Sequence, residues 1–111
     1  MTMGNLEQKA CRPLPACTPP LAQAQIDAGL ARLPGWTQAD DAIGKTFSFS
    51  NYAETMAFVN AVAAIAQRED HHPDMLVGYN TCRVVYSTHS VGGISENDFI
   101  CAARIEALCR T

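Results

Sequence analysis

No stretch of this chain approaches the ~18 consecutive apolar residues of a membrane-spanning helix, and the opening segment MTMGNLEQKACRPLPAC lacks the apolar middle of a secretory signal. Both absences predict a cytoplasmic protein with no membrane partner. Positive charge is also in short supply: eight Lys and Arg stand against eleven Asp and Glu, for a formal net charge of −3. The basic residues are scattered, so no field is available to neutralise phosphates, and nucleic acid is excluded as a direct partner. CxxC pairs are missing as well. The five cysteines, Cys11, Cys17, Cys82, Cys101 and Cys109, are odd in number, and none has zinc-ligand spacing to a histidine. Reduced structural thiols are expected, with a local Cys11–Cys17 bridge the less favoured alternative. Histidine is scarce too: there are three in 111 residues, and two of them are adjacent.

What is present is the composition of one small folded domain, with 48% hydrophobic and 17% charged residues. Residues 1–17 contain Gly4, Pro13 and Pro15 and show no periodicity, which predicts a loosely ordered leader before a single domain over 18–111. Pro19 and Pro20 suit a helix start, and Ala22, Ile26, Leu30 and Leu33 repeat at helical spacing until LPGW. Trp36 opens a short extended stretch, DDAIGK reads as a turn, and Phe47 and Phe49 alternate with polar residues in a second strand. Asn51 and Glu54 resemble a capping pair ahead of an apolar stripe, Tyr52, Met56, Val59, Val62, Ala63 and Ala66, that ends at Gln67. MLVGYN and CRVVYSTH predict a hairpin turning near Asn80 and Thr81, and Ser95 begins a last helix, SENDFICAARIEALCR. The order is αββαββα. In an α+β protein of this order the four strands form an antiparallel sheet with three helices packed on one face, leaving the other face to water or to another subunit.

The histidines gather at one end of this plan. Pro73 cannot continue the second helix, so His71 and His72 fall where helix gives way to strand. With the turn at Asn80 and Thr81, His72 stands opposite His89; a different turn length or a bulge brings His71 to the face of His89 instead. Gly92 and Gly93 then turn the chain toward Asp98, which either caps the last helix from its third position or approaches the histidines. The two roles are compatible. Imidazole exchanges protons near neutrality, so three converging histidines point to acid–base catalysis or metal binding.

The run EDHHPDMLVGYNTCRVVYSTHSVGGISENDF resembles the signature of the pterin-4a-carbinolamine dehydratases, through His-His-Pro, Tyr79, the Ser-Thr-His strand end and Asp98 after a glycine-containing loop. The similarity extends more weakly to LARLPGW, the alternating Phe strand and the second helix. It implies the same four-stranded sheet and three helices, dimers or tetramers, and the dehydration of 4a-hydroxytetrahydrobiopterin to quinonoid dihydrobiopterin in tetrahydrobiopterin regeneration. No cofactor is implied, because the tetrahydropterin is itself the substrate. His71 and His89 would be general acid and base, His72 would shape the site and Asp98 would orient a histidine. Main-chain groups around His71, His72, Pro73, Thr88, His89, Ser90 and Val91 would bind the flat pterin. An aromatic amino acid hydroxylase is the implied pathway partner. The chain departs from the family in carrying Gln67 where an acidic residue is common. Two rivals remain: an iron site built from two histidines with Asp74 or Asp98, and a pterin-binding or protein-interaction module acting on a hydroxylase, a transcription factor or molybdopterin metabolism.

Overall fold

Strict alternation in TCRVVY decides the centre of the sheet. In the computed structural model, which describes residues 6–109, strand β4 (Thr81–Tyr86) buries Cys82, Val84 and Tyr86 completely on one face. It lies between β2 (Ala42–Ser48) and β3 (Asp74–Val77), with β1 (Thr37–Ala39) beyond β2, all antiparallel in the order β1-β2-β4-β3. Pairing Ile43 with Tyr86 and Phe47 with Cys82 puts the apolar residues of both strands on the same side. That side is covered by α1 (Gln23–Leu30), α2 (Tyr52–Glu69) and α3 (Glu96–Cys109), whose Ile26, Val62, Ile65, Phe99, Ile100 and Ile105 complete the core. The expected αββαββα sheet with helices on one face is the observed fold. Trp36 and Phe47 meet edge to face at 6.1 Å, and Phe47 and Phe58 pack with their rings tilted by 38° at 4.6 Å, contacts worth about 1 kcal/mol per pair beyond burial.

Three boundaries differ from those expected. The DDAIGK turn shrinks to Asp40 and Asp41, because Asp40 takes a left-handed conformation (φ 53°) and lets fully buried Ile43 join the sheet. The β3–β4 turn is centred on Tyr79 and Asn80 instead of Asn80 and Thr81: Val77 pairs with Cys82, and Gly78 N–H donates to Thr81 O at 2.8 Å. Pairing residues therefore sum to two less than expected. Finally, β4 stops at Tyr86, and His89–Val91 forms a 3-10 turn closed by Gly92 at φ 70°.

Helix ends aim the chain at the site. Asn51 accepts from Glu54 N–H at 2.9 Å, while the Glu54 carboxylate takes Ser50 N–H at 3.0 Å, one position earlier than in a standard capping box. At the other end Asp70 adopts φ 52°, the left-handed turn that usually selects glycine, and His71 N–H donates to Ala66 O at 3.1 Å. This reversal sends His71 toward α3. The leader expectation needs amending for residues 6–14. Leu6 is buried against the core, Arg104 Nε donates to Lys9 O at 3.0 Å, and Cys11 N–H donates to Glu69 Oε1 at 2.8 Å. The Asn97 amide clamps Arg12 from both sides, donating to its carbonyl at 2.8 Å and accepting from its N–H at 3.3 Å. Such anchoring runs through isolated polar contacts and leaves no periodic signature.

Candidate active site

A fully buried carboxylate must be matched by donors, and Asp98 has three. Oδ1 lies 2.5 Å from His71 Nε2, while Oδ2 accepts from Thr88 Oγ1 and from Ser95 N–H, both at 2.9 Å. The spacing that made Asp98 a capping candidate is thus used: it sits in the first turn of α3, returns to the Ser95 amide and reaches His71 with its other oxygen. Proton counting orders the rest. Thr88 spends its hydroxyl proton on Asp98, so Ser95 Oγ, 2.6 Å away, donates to Thr88 and accepts Asn97 N–H at 3.2 Å. A chain of donors from the α3 backbone therefore ends on the carboxylate that holds His71.

The strand end fixes the other partners of His71. Continuing the β3–β4 register beyond Asp74 and Val85 puts His71 opposite Thr88. The imidazole stacks on Tyr86 at 5.1 Å and 21°, and the Tyr86 hydroxyl donates to His71 O at 3.2 Å. With Nε2 committed to Asp98, Nδ1 is the nitrogen free to exchange a proton with a ligand. Burial, the largest single influence, opposes the charged imidazole, but the hydrogen bond and charge of Asp98, with smaller help from Cys101 and Asp70, outweigh it and raise the His71 pKa above its ordinary value. Burial pushes the Tyr86 hydroxyl far up, so it remains a donor.

His71 borders a cleft of about 370 Å³ together with Arg12, Pro13, Glu69, Thr88 and Ser90, within the range of small-molecule sites. Thr88 also borders a smaller cavity of about 170 Å³ lined by Asp41, His89 and Gly93. His71 and His89 accordingly flank Thr88, and the expected pairing of His72 with His89 is replaced: His72 is exposed, and the extended register matches it with Ser87. Pro73 is half-buried just ahead of β3, Ser90 is exposed on the cleft, and Val91 is buried beneath the 3-10 turn. Gln67 is exposed on α2, and the buried acid near the cleft is Glu69, whose side chain is 6% exposed. Among the described residues no group of three or more His, Cys, Asp or Glu side chains is placed to hold a metal ion. No described helix is long and apolar enough to cross a membrane.

Sequence reasoning missed Tyr86, Ser95 as a hydroxyl relay, and the Cys11–Pro13 wall. Tyr86 was visible as an inward strand residue, whereas nothing in the leader's pattern announced that it reaches the site.

The family described as Pterin 4 alpha carbinolamine dehydratase matches residues 19–108. A protein from Nitrosospira multiformis bearing the provisional name pterin-4-alpha-carbinolamine dehydratase is 55% identical over 107 residues, covering 96% of this chain and 95% of its own. One from Xanthomonas campestris with the same provisional name is 51% identical over 105 residues, 93% of this chain and 89% of its own. Among solved structures, a transcriptional coactivator/pterin dehydratase from Brucella melitensis superposes with a TM-score of 0.78 at 30% identity, covering 80% of this chain and 97% of that one. A pterin dehydratase-like protein identified as a RuBisCO assembly factor in the alpha-carboxysome superposes with a TM-score of 0.55 at 28% identity, over 66% of this chain and 84% of that one.

Proposed function

The chain belongs to the pterin 4 alpha carbinolamine dehydratase family, and from that premise we propose that it eliminates water from 4a-hydroxytetrahydrobiopterin to give quinonoid dihydrobiopterin. The observation that carries this reading is the contact of 2.5 Å between His71 and buried Asp98 at the wall of a cleft of about 370 Å³. Loss of hydroxide from C4a requires an acid at the leaving oxygen and a base for the N5 proton as the C4a–N5 double bond forms. His71, kept protonated to higher pH by Asp98, suits the acid: Nδ1 gives its proton to the departing oxygen while Nε2–H stays on Oδ1. His89, across Thr88, takes the N5 proton, and the two roles exchange for the opposite configuration at C4a. Each transfer contributes roughly 10²–10⁴ in rate. His72, next to His71 in the chain, shapes the site, and the backbone of Pro73, Thr88, Ser90 and Val91 offers groups to the flat pterin edge. The chemistry needs two proton transfers and neither cofactor nor metal. The reaction belongs to tetrahydrobiopterin regeneration after an aromatic amino acid hydroxylase, in the cytoplasm.

The exposed side of β3, with Leu76 75% exposed, supports assembly into a homodimer or homotetramer. Leu76, Val77, Tyr79 and Tyr52 form the observation that favours a second reading, a regulatory protein-interaction role of the kind named for the coactivator and assembly-factor neighbours. Stopped-flow ultraviolet absorbance of 4a-hydroxypterin generated by a hydroxylase tests the enzyme directly. Wild-type protein is expected to accelerate its decay, and His71→Ala and His89→Ala to abolish the acceleration. Unchanged spontaneous decay with folded wild-type protein would leave the interaction role as the better reading.

A further inference from the structure

Two thiols remain outside this mechanism although they meet at its edge. Cys11 Sγ and Cys101 Sγ lie 3.4 Å apart across a separation of 90 residues, sharing a proton that either sulfur can hold. Cys101 is completely buried in α3 and is held by the helix. Cys11 is half-buried, belongs to an irregular segment and lines the His71 cleft. Its second contact is Asn97 O at 3.6 Å. All five cysteines are free thiols in this structure.

We propose that Cys11 and Cys101 are a reversible dithiol that closes to an intramolecular disulfide and fastens the leader to α3 beside the His71 cleft. Closing the sulfurs from 3.4 Å to the ~2.05 Å of a disulfide requires a movement of about 1.3 Å. The irregular segment around Cys11 supplies it, since Cys101 is fixed in a helix. The oxidant is a low-molecular-weight disulfide admitted by the cleft. Cys11 Sγ attacks one of its sulfurs and hands its proton to the departing small thiolate, leaving a mixed disulfide. Cys101 then attacks the Cys11 sulfur, the mixed disulfide breaks and a second small thiol departs with the remaining proton. The protein loses two electrons and two protons, and the small disulfide leaves as two thiols. Access sets this order, because Cys11 lines the cleft while Cys101 is completely buried. The hydrogen bond from Cys11 lowers the Cys101 pKa against the effect of burial, helped by Tyr86 and the charge of His71, while the same hydrogen bond and burial raise Cys11. Cys101 resolves the mixed disulfide because it is the thiol in contact with the Cys11 sulfur, at 3.4 Å. Its neighbours Tyr86 and His71 belong to the site, so closure alters the wall and the electrostatics of the cleft at once. Only that effect on turnover rests on the proposed function; the disulfide itself does not.

The test is incubation of the reduced full chain with glutathione disulfide, followed by alkylation under denaturing conditions and non-reducing peptide mapping. The expected product joins the Cys11 and Cys101 peptides with the loss of two hydrogens. It should raise the melting temperature by on the order of 10 °C over the dithiothreitol-treated sample, since a long loop is closed. Cys11→Ser should lose both the link and the shift, and Cys17→Ser should keep both. A stable glutathione adduct on Cys11, or full alkylation of Cys11 and Cys101, overturns the proposal whatever the dehydratase assay shows.

Discussion

Replacing Asp98 by Asn keeps the shape of the side chain and removes its charge and one of its two acceptor oxygens. The wild-type carboxylate accepts from His71, Thr88 and Ser95 with no solvent access. Hydrogen bonds to a charged group contribute ~1.5–3 kcal/mol each and neutral ones ~0.5–1.5 kcal/mol, so weakening two and reversing the third is expected to cost roughly 3–5 kcal/mol. For a domain of this size the melting temperature falls by on the order of 15 °C. The functional effect has a separate signature. The amide NH₂ facing His71 forces Nε2 to accept, which moves the ring proton to Nδ1 and reverses the tautomer. It also removes the two largest influences that raise the His71 pKa and leaves burial, which lowers it. A raised histidine pKa stabilises the fold fully below the unfolded value of ~6.5 and loses that contribution as pH climbs through the higher folded value. Asp98→Asn should therefore flatten the dependence of melting temperature on pH above ~6.5. In stopped-flow assays the limb of the pH–rate profile where His71 loses its proton should move to lower pH, with turnover at neutral pH falling about 100-fold. A folded variant whose rate falls while this limb stays in place would refute the claim that Asp98 acts through the protonation of His71.

Thr88→Val deletes the hydroxyl that donates to Asp98 Oδ2 and strands the Ser95 hydroxyl beside a methyl group. It should cost about 1–3 kcal/mol in denaturant unfolding and lower the turnover number more than the Michaelis constant is raised. Leu6→Ala opens a cavity where the leader enters the core, and a loss of about 2–5 kcal/mol is expected by thermal unfolding. The same variant should increase amide hydrogen exchange at Cys11 and Arg12, because their contacts to Glu69 and Asn97 depend on the leader staying docked. Unchanged exchange there would show that those polar contacts hold the segment unaided.

Much of this arrangement was legible in the residues, and the parts that were not share a cause. Alternation around Phe47 and Val84 and the capped start of α2 revealed the strands and the helix because burial repeats with the period of the backbone. The face α2 buries, however, is Thr55, Phe58, Val62, Ile65 and Ala66, while Tyr52 and Ala63 of the expected stripe are exposed. Ser95 and Asp98 were readable as a cap and as a possible histidine partner, and the geometry uses both. The hairpin register was not readable: GYNT carries no Asn-Gly or Asp-Gly pair, and moving the turn by one residue shifts every cross-strand match by two. That shift replaced His72 with Ser87-facing geometry and set His71 against Thr88. His89 looked like strand because TH continues the alternation, yet Gly92 at positive φ draws it into a 3-10 turn. The docked leader and the Cys11–Cys101 contact depend on single long-range meetings, which have no period to detect.

The use of one carboxylate both to start α3 and to hold His71 has a consequence for the order in which the protein is made. Asp98 follows His71 by 27 residues and comes after every strand of the sheet in the chain. A ribosome whose exit tunnel still holds the segment around Asp98 keeps the carboxylate from its partners, so a nascent chain with His71 and the whole sheet already translated remains chemically unfinished. Winding the last helix then completes the interior and arms the imidazole in a single event.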